Sequence, residues 1–168
     1  MIQWMERPIL KLEKRPFDWV LKILILCVIG FLLIYPFIYF SELPETIPVH
    51  FNFQGEPDGW GSKNGIWTLP AMGIFSYLLL AFFRSIPHVL NIPLQITPEN
   101  AERQYRLVTR MLSWLSLLIL LISSVLVYKQ IQAGFENSMR LGFFFPVLLG
   151  GGLIGILGGF IFLSFKNK

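Results

Sequence analysis

Four long apolar runs, separated by polar connections of unequal character, set the pattern of this chain. Trp19 to Phe40 is apolar except for Lys22 in its first turn. At about 1.5 Å per residue, a helix of that length crosses a hydrocarbon core of about 30 Å. The run therefore predicts a first transmembrane helix at 19–40, preceded by a short basic segment at 1–18 with Pro8 and Pro16 as breakers. It is too long for a signal peptide and no small-x-small cleavage site follows it, so the helix is expected to stay uncleaved. Lys22 can reach the interface with its long stem. Pro36 is expected to bend the last turns, with Tyr35 and Tyr39 at the far boundary. Ile66 to Ile86 predicts the second span at 66–86, with Trp67 at its start and Arg84 near its end.

The third run begins in water. Thr97-Pro98-Glu99 is a good helix start: a hydroxyl cap, proline at the first helical position and an acid in the first turn. Asn100 stands where a capping box would use Glu or Gln, so that box reads as incomplete. Ala101, Tyr105, Val108 and Leu112 recur at helical spacing, while Arg103, Arg106 and Arg110 line another face. Glu99–Arg103 and Glu102–Arg106 have the spacing of favourable pairs on one helix face. Residues 87–110 thus form a connection and an amphipathic helix start, and 111–128 the third span. The arginine stripe suits anionic headgroups or a cytosolic regulator. Ser113, Ser116, Ser123 and Ser124 are candidates for holding helices together. A polar turn is expected at 129–141 with Gly134 as its breaker, then a fourth span at 142–165 and a basic tail at 166–168. Gly151, Gly155 and Gly159 repeat every fourth residue and predict close helix packing, within the bundle or against a second copy.

Composition agrees with the bilayer as solvent. Hydrophobic residues make up 54% of the chain and charged residues 14%, and mean hydropathy is +0.61. The sequence pI near 9.4 would allow a nucleic-acid partner, but the basic residues cluster at the ends of apolar runs. That placement fits headgroups rather than a duplex. The single cysteine, Cys27, lies inside an apolar run and reads as a packing residue. Lysines and arginines split eleven to three: the N-terminal segment with Lys22, the connection before the third span and the tail hold eleven. Lys63, Lys129 and Arg140 lie on the other side. The bias predicts a cell-membrane protein with both termini cytoplasmic, and puts the 41–65 connection outside.

That connection is the one long polar stretch. Ile47, Val49, Phe51 and Phe53 alternate with Pro48, His50, Asn52 and Gln54, which predicts a short extended segment. Gln54 to Gly59 is dense turn chemistry, and Trp60-Gly61-Ser62-Lys63 leads back to the membrane. A connection this long without periodic structure is uncommon unless it has a function. The expected fold is an all-α integral membrane protein with four transmembrane helices and an ordered extracytoplasmic loop between the first two.

Leu43-Pro44, Ile47-Pro48, His50-Phe51-Asn52, Gly55, Pro57-Asp58 and Trp60-Gly61-Ser62-Lys63 closely resemble the signature of the membrane domain of unknown function 1648. That domain also forms the N-terminal part of SdpI-type toxin-immunity proteins. The resemblance implies a multi-pass bacterial membrane protein with a role in sensing or neutralising a secreted peptide toxin.

The candidate binding residues are therefore His50, Asn52, Gly55, Pro57, Asp58, Trp60, Gly61 and Lys63. His50 can be a metal ligand, a pH switch or a partner for the loop backbone. No metal-site spacing accompanies it, so no metal or other cofactor is expected. Asp58 is expected to close the turn or pair with Lys63, and Trp60 to anchor at the interface. A membrane-surface enzyme would have to use His50, nearby carboxylates and Ser62, and no hydrolase signature is present, so no catalytic residue is expected. The middles of the four runs carry no ionisable residue, which argues against a proton-coupled pump. A binding or sensing module and an accessory subunit of a larger complex, with a homo-oligomer through the fourth-span glycines, are the two remaining readings.

Overall fold

A computed structural model of the chain describes residues 7–52, 55–136, 142 and 144–166. The four apolar runs form helices α1 (Pro16–Tyr39), α2 (Thr68–Ser85), α3 (Ala101–Glu136) and α4 (Phe144–Lys166). Each is long and apolar enough to cross a membrane, α2 together with the 3-10 turn Lys63–Trp67 ahead of it. The chain is a multi-pass membrane protein, predominantly helical.

Between α1 and α2 the chain forms strands β1 (Thr46–Phe51) and β2 (Pro57–Ser62), paired antiparallel. A two-stranded hairpin thus stands on the all-α bundle. Alternating Ile47, Val49 and Phe51 supply β1, but β2 has no such alternation, so its strand character comes from pairing rather than from its own sequence. Phe53 and Gln54, part of the expected alternation and turn, lie outside the described residues.

α1 begins earlier than its apolar run because Pro16 takes the first helical position and the Asp18 carboxylate accepts the Arg15 N–H at 2.9 Å. The proline read as a breaker is a helix starter. Pro36 is buried within α1, which continues past it to Tyr39.

α3 is the hub. α1, α2 and α4 all pack on it, whereas α1 and α2 touch each other little. One buried cluster joins Leu21, Ile25 and Leu32 of α1 to Leu120, Val127 and Ile131 of α3. A second, at the other end, gathers Ile92, Ala101, Tyr105 and Val108, with Leu12 and Phe160 against it. Gly73 of α2 sits so close to α3 that an added Cβ would lie 2.8 Å from Ser123 Oγ. Ser116 and Ser124 donate back to the carbonyls of Leu112 and Leu120, each at 2.8 Å. Among the serines expected to join helices, Ser113 makes an inter-helix hydrogen bond, accepting from Arg84 Nη1 at 2.9 Å.

Both ends of α3 depart from expectation. At its start, Asn100 Oδ1 accepts the Thr97 N–H at 3.0 Å, the bond a capping-box Glu or Gln would make, so a shorter side chain supplies that half of the box. The Thr97 hydroxyl bonds the Glu99 carboxyl and holds it below its ordinary pKa, and Glu102 pairs with Arg106 at 2.8 Å. At its far end, α3 runs on to Glu136 instead of stopping near Tyr128. Gly134 is not a breaker: an added Cβ there would meet Leu43 and Ile47 at 3.2 and 3.3 Å, so the glycine lets α3 seat the root of the hairpin. The rest of the expected turn, 137–141 with Arg140, lies outside the described residues, as does Lys168 of the tail.

α4 packs on α3 through a different stripe from the one expected. Gly152 meets Leu118, Phe160 joins the second cluster, and the Ser164 carbonyl accepts from Gln104 Nε2 at 3.3 Å. Among the described residues, nothing lies within 4 Å of a Cβ placed on Gly151, Gly155 or Gly159. Those three glycines meet no described neighbour because the α3-facing stripe, 152, 160 and 164, is displaced by one residue, about 100° around the helix.

Candidate functional site

The hairpin stands on α3 through its first strand. Ile47 is fully buried and Leu43 nearly so, both in the cluster that includes Val127 and Ile131. Gln130, itself 2% exposed, donates from Nε2 to the Pro48 carbonyl at 2.7 Å. Its neck is tied twice: Lys63 N–H donates to the Glu45 carbonyl at 3.0 Å, and Lys63 Nζ pairs with the Glu45 carboxylate at 2.9 Å. Lys63 also lies 5.5 Å from the Phe40 ring centroid. Beyond the neck, the methyls of Val49 crowd Gly61 and Gly65, at 3.1–3.2 Å from where a Cβ would be.

The tip is shaped by Asn52 and Gly55. Gly55 N–H donates to the Asn52 carbonyl at 2.9 Å, and Asn52 Oδ1 accepts the Glu56 N–H at 2.9 Å. Gly55 has φ +77°, a left-handed conformation that a side chain would strain. Pro57 opens β2, where a strand tolerates a missing N–H. These positions build the turn and leave the adjoining ladder to carry chemistry.

On that ladder, His50 stands opposite Gly59, next to Asp58. His50 Nδ1 and Asp58 Oδ1 are 2.5 Å apart, with the imidazole 72% and the carboxylate 42% exposed. An ionised carboxylate only accepts, so Nδ1 is the donor in this pair. Of the two roles expected for Asp58, the pairing with Lys63 is not made: Asp58 holds His50, and Lys63 holds Glu45. The reason is geometric, since Lys63 lies at the neck and Asp58 near the tip. Gly59 permits the arrangement, because a Cβ on it would come 2.9 Å from His50 Cβ. Trp60, opposite Pro48, is 47% exposed, and Val49 45%.

A carboxylate behind a histidine orients imidazole for a metal or a hydrogen-bond partner. Among the described residues, though, no three His, Cys, Asp or Glu side chains gather to hold an ion. Ser62 lies opposite Thr46 at the neck, several ladder positions from His50, and its Oγ accepts from the Asn64 N–H. The site is an imidazole held by a carboxylate, with an exposed indole on the same two-stranded ribbon.

Four contributors carried no sequence signal strong enough to single them out: Glu45, Gly59, Gln130 and Gly134. Gly59 was visible only as one more turn glycine. Gln130 and Gly134 sit far along the chain, and only the buried face of α3 gives them away.

Residues 25–74 match the family described as "Domain of unknown function (DUF1648)", a stretch covering most of α1, the hairpin and the first turns of α2. An uncharacterized protein of Archaeoglobus fulgidus is 33% identical over 110 residues, which is 59% of this chain and 60% of that protein. The chain therefore spans about three-fifths of the relative it matches. No solved structure matches.

Proposed function

We propose that this membrane protein binds a ligand outside the cell through the β1–β2 hairpin, as a capture or sensing module of the SdpI-immunity type. The observation that carries the reading is the Asp58-oriented His50 beside exposed Trp60, on a ribbon whose root is buried against α3. A rigid mount lowers the ordering cost of binding, and aromatic side chains give much contact area for little entropy. Glu42, Glu45, Glu56 and Asp58 accompany Lys63 in this segment, so a cationic amphipathic peptide is the ligand class that fits. The reading is non-catalytic, with the lipid bilayer as the constant partner.

Purified protein titrated with secreted cationic peptides, read by tryptophan fluorescence, tests it. Trp60→Ala is expected to weaken binding about tenfold or more, as an aromatic anchor does. Cells lacking the gene should become more sensitive to the same peptides. Equal sensitivity across a broad panel, with binding indifferent to Trp60, would sink the proposal.

The open glycine face of α4 favours a second reading, an accessory subunit or homo-oligomer whose partner helix lies along Gly151, Gly155 and Gly159. Co-purification of another membrane protein, lost in Gly155→Leu, would support it. A monomer indifferent to that substitution would remove it.

A further inference from the structure

At the end of the bundle opposite the hairpin, a cleft of about 410 Å³ opens between α1 and α2, with α3 behind it. Its floor and walls are apolar where they go deep: Leu12, Leu21, Ile25, Tyr77 and Ala81. Its rim is cationic, with Lys14, Lys22, Arg84, Arg106 and Arg110 against the carboxylates of Glu13 and Asp18.

The charges are not equally engaged. Asp18 takes Arg110 at 2.9 Å and Arg106 at 3.9 Å, and Arg106 also holds Glu102 and the Glu13 carbonyl. Lys14, Lys22 and Arg84 have no carboxylate partner among the described residues. Their contacts are softer. Lys14 and Lys22 both flank the Trp19 ring, at 4.8 and 5.2 Å, while Arg84 lies over Tyr77 and donates to Ser113. Half-exposed Trp19 marks this level as the membrane boundary.

From this juxtaposition we propose that the cleft binds an anionic phospholipid. The phosphate sits among Lys14, Lys22 and Arg84, and an acyl chain runs along Tyr77, Ala81 and Ile25 between the two helices. Charge complementarity selects the headgroup: the lining carries five cations for two acids, and three of those cations have no carboxylate partner among the described residues. The apolar floor selects a lipid over a soluble anion, because a free phosphate would leave those walls wet. The volume is within the range of small-molecule sites and suits a glycerophosphate and the top of its chains. The lipid would fill the space that α1 and α2 leave open on α3, making it part of the bundle. This proposal stands independently of the hairpin reading, since it uses other residues at the other end.

Native mass spectrometry of the full chain released from detergent tests it, with phosphatidylglycerol, phosphatidylcholine and inorganic phosphate as probes. Phosphatidylglycerol should be retained in preference to phosphatidylcholine, and millimolar inorganic phosphate should not displace it. Each basic residue near a membrane surface strengthens anionic-lipid attraction about fivefold, so K22Q/R84Q should weaken retention about thirtyfold. Ala81→Phe keeps every charge and fills the floor, and should also expel the lipid. Lys166→Gln, a basic residue at the end of α4 outside the cleft, should change retention little. Equal retention of the two lipids would overturn the proposal, as would displacement by phosphate or binding unaffected by Ala81→Phe. An equal loss in Lys166→Gln would also do so, by reducing the effect to general surface attraction.

Discussion

Both ends of α3 carry a buried apolar cluster and a buried glutamine hydrogen bond, but they differ in charge. At the hairpin end the grip is neutral and buried: Gly134 under Leu43 and Ile47, and Gln130 on the Pro48 carbonyl. At the other end an ionic, wetter contact is added, with Asp18 between Arg106 and Arg110, side chains 11–30% exposed. A buried neutral hydrogen bond is expensive to leave unmade, while a partly exposed ion pair is worth little and is screened by salt. The hairpin end is therefore built for fixed geometry, and the basic end for charge that stays adjustable.

The contrast can be broken most severely at Gly134. Gly134→Leu pushes a branched side chain into a space already closed at the Cβ, and overpacking of this kind costs about 3 kcal/mol. We expect a drop of several degrees in thermal unfolding in a fixed detergent, together with new tryptic cleavage after Lys63 as the ribbon detaches. Unchanged melting and continued protection would show that the root is not seated on α3. A smaller loss, about 2 kcal/mol, is expected for Gln130→Ala, which leaves the Pro48 carbonyl without its donor. This loss should be the same at low and high salt, and a salt-dependent loss would contradict the neutral description. Smallest is Asp18→Asn, below about 1 kcal/mol at low ionic strength and vanishing near 1 M salt. Salt titration of its melting temperature against the parent checks this; a large, salt-insensitive loss would make the two ends alike.

The helices are legible in the sequence because a membrane span is a local property, visible as an uninterrupted apolar run. What depends on a distant partner is not. Gly134 reads as a breaker in isolation and functions as a packing surface once Ile47 is beside it. Asn100 supplies one half of a capping box, although its side chain looks like the wrong residue for it. Gly151, Gly155 and Gly159 form the more regular pattern, yet the stripe against α3 passes through Gly152, since regular spacing does not say which face meets a neighbour. The hairpin was half legible. β1 shows its alternation, but β2 reads Pro-Asp-Gly-Trp-Gly-Ser, residues that favour turns, and pairs only because β1 is there. Of the candidate residues, Asn52, Gly55 and Pro57 turn out to shape the ribbon, while His50, Asp58 and Trp60 present outward chemistry; the swapped ion pairs followed from register, which composition does not contain.

Seating the hairpin on residues 130–134 also orders events during synthesis. When residues 25–74 leave the ribosome, the helix segment on which their ribbon rests is still untranslated, so Leu43 and Ile47 have no α3 surface to bury against. The ribbon must wait while two spans are inserted as separate helices, and it docks only after α3 arrives to join them. The stretch recognisable as a family unit is thus not a unit of assembly. Transplanted alone into another membrane protein, it would carry the His50–Asp58 ladder but lack the floor that fixes its orientation.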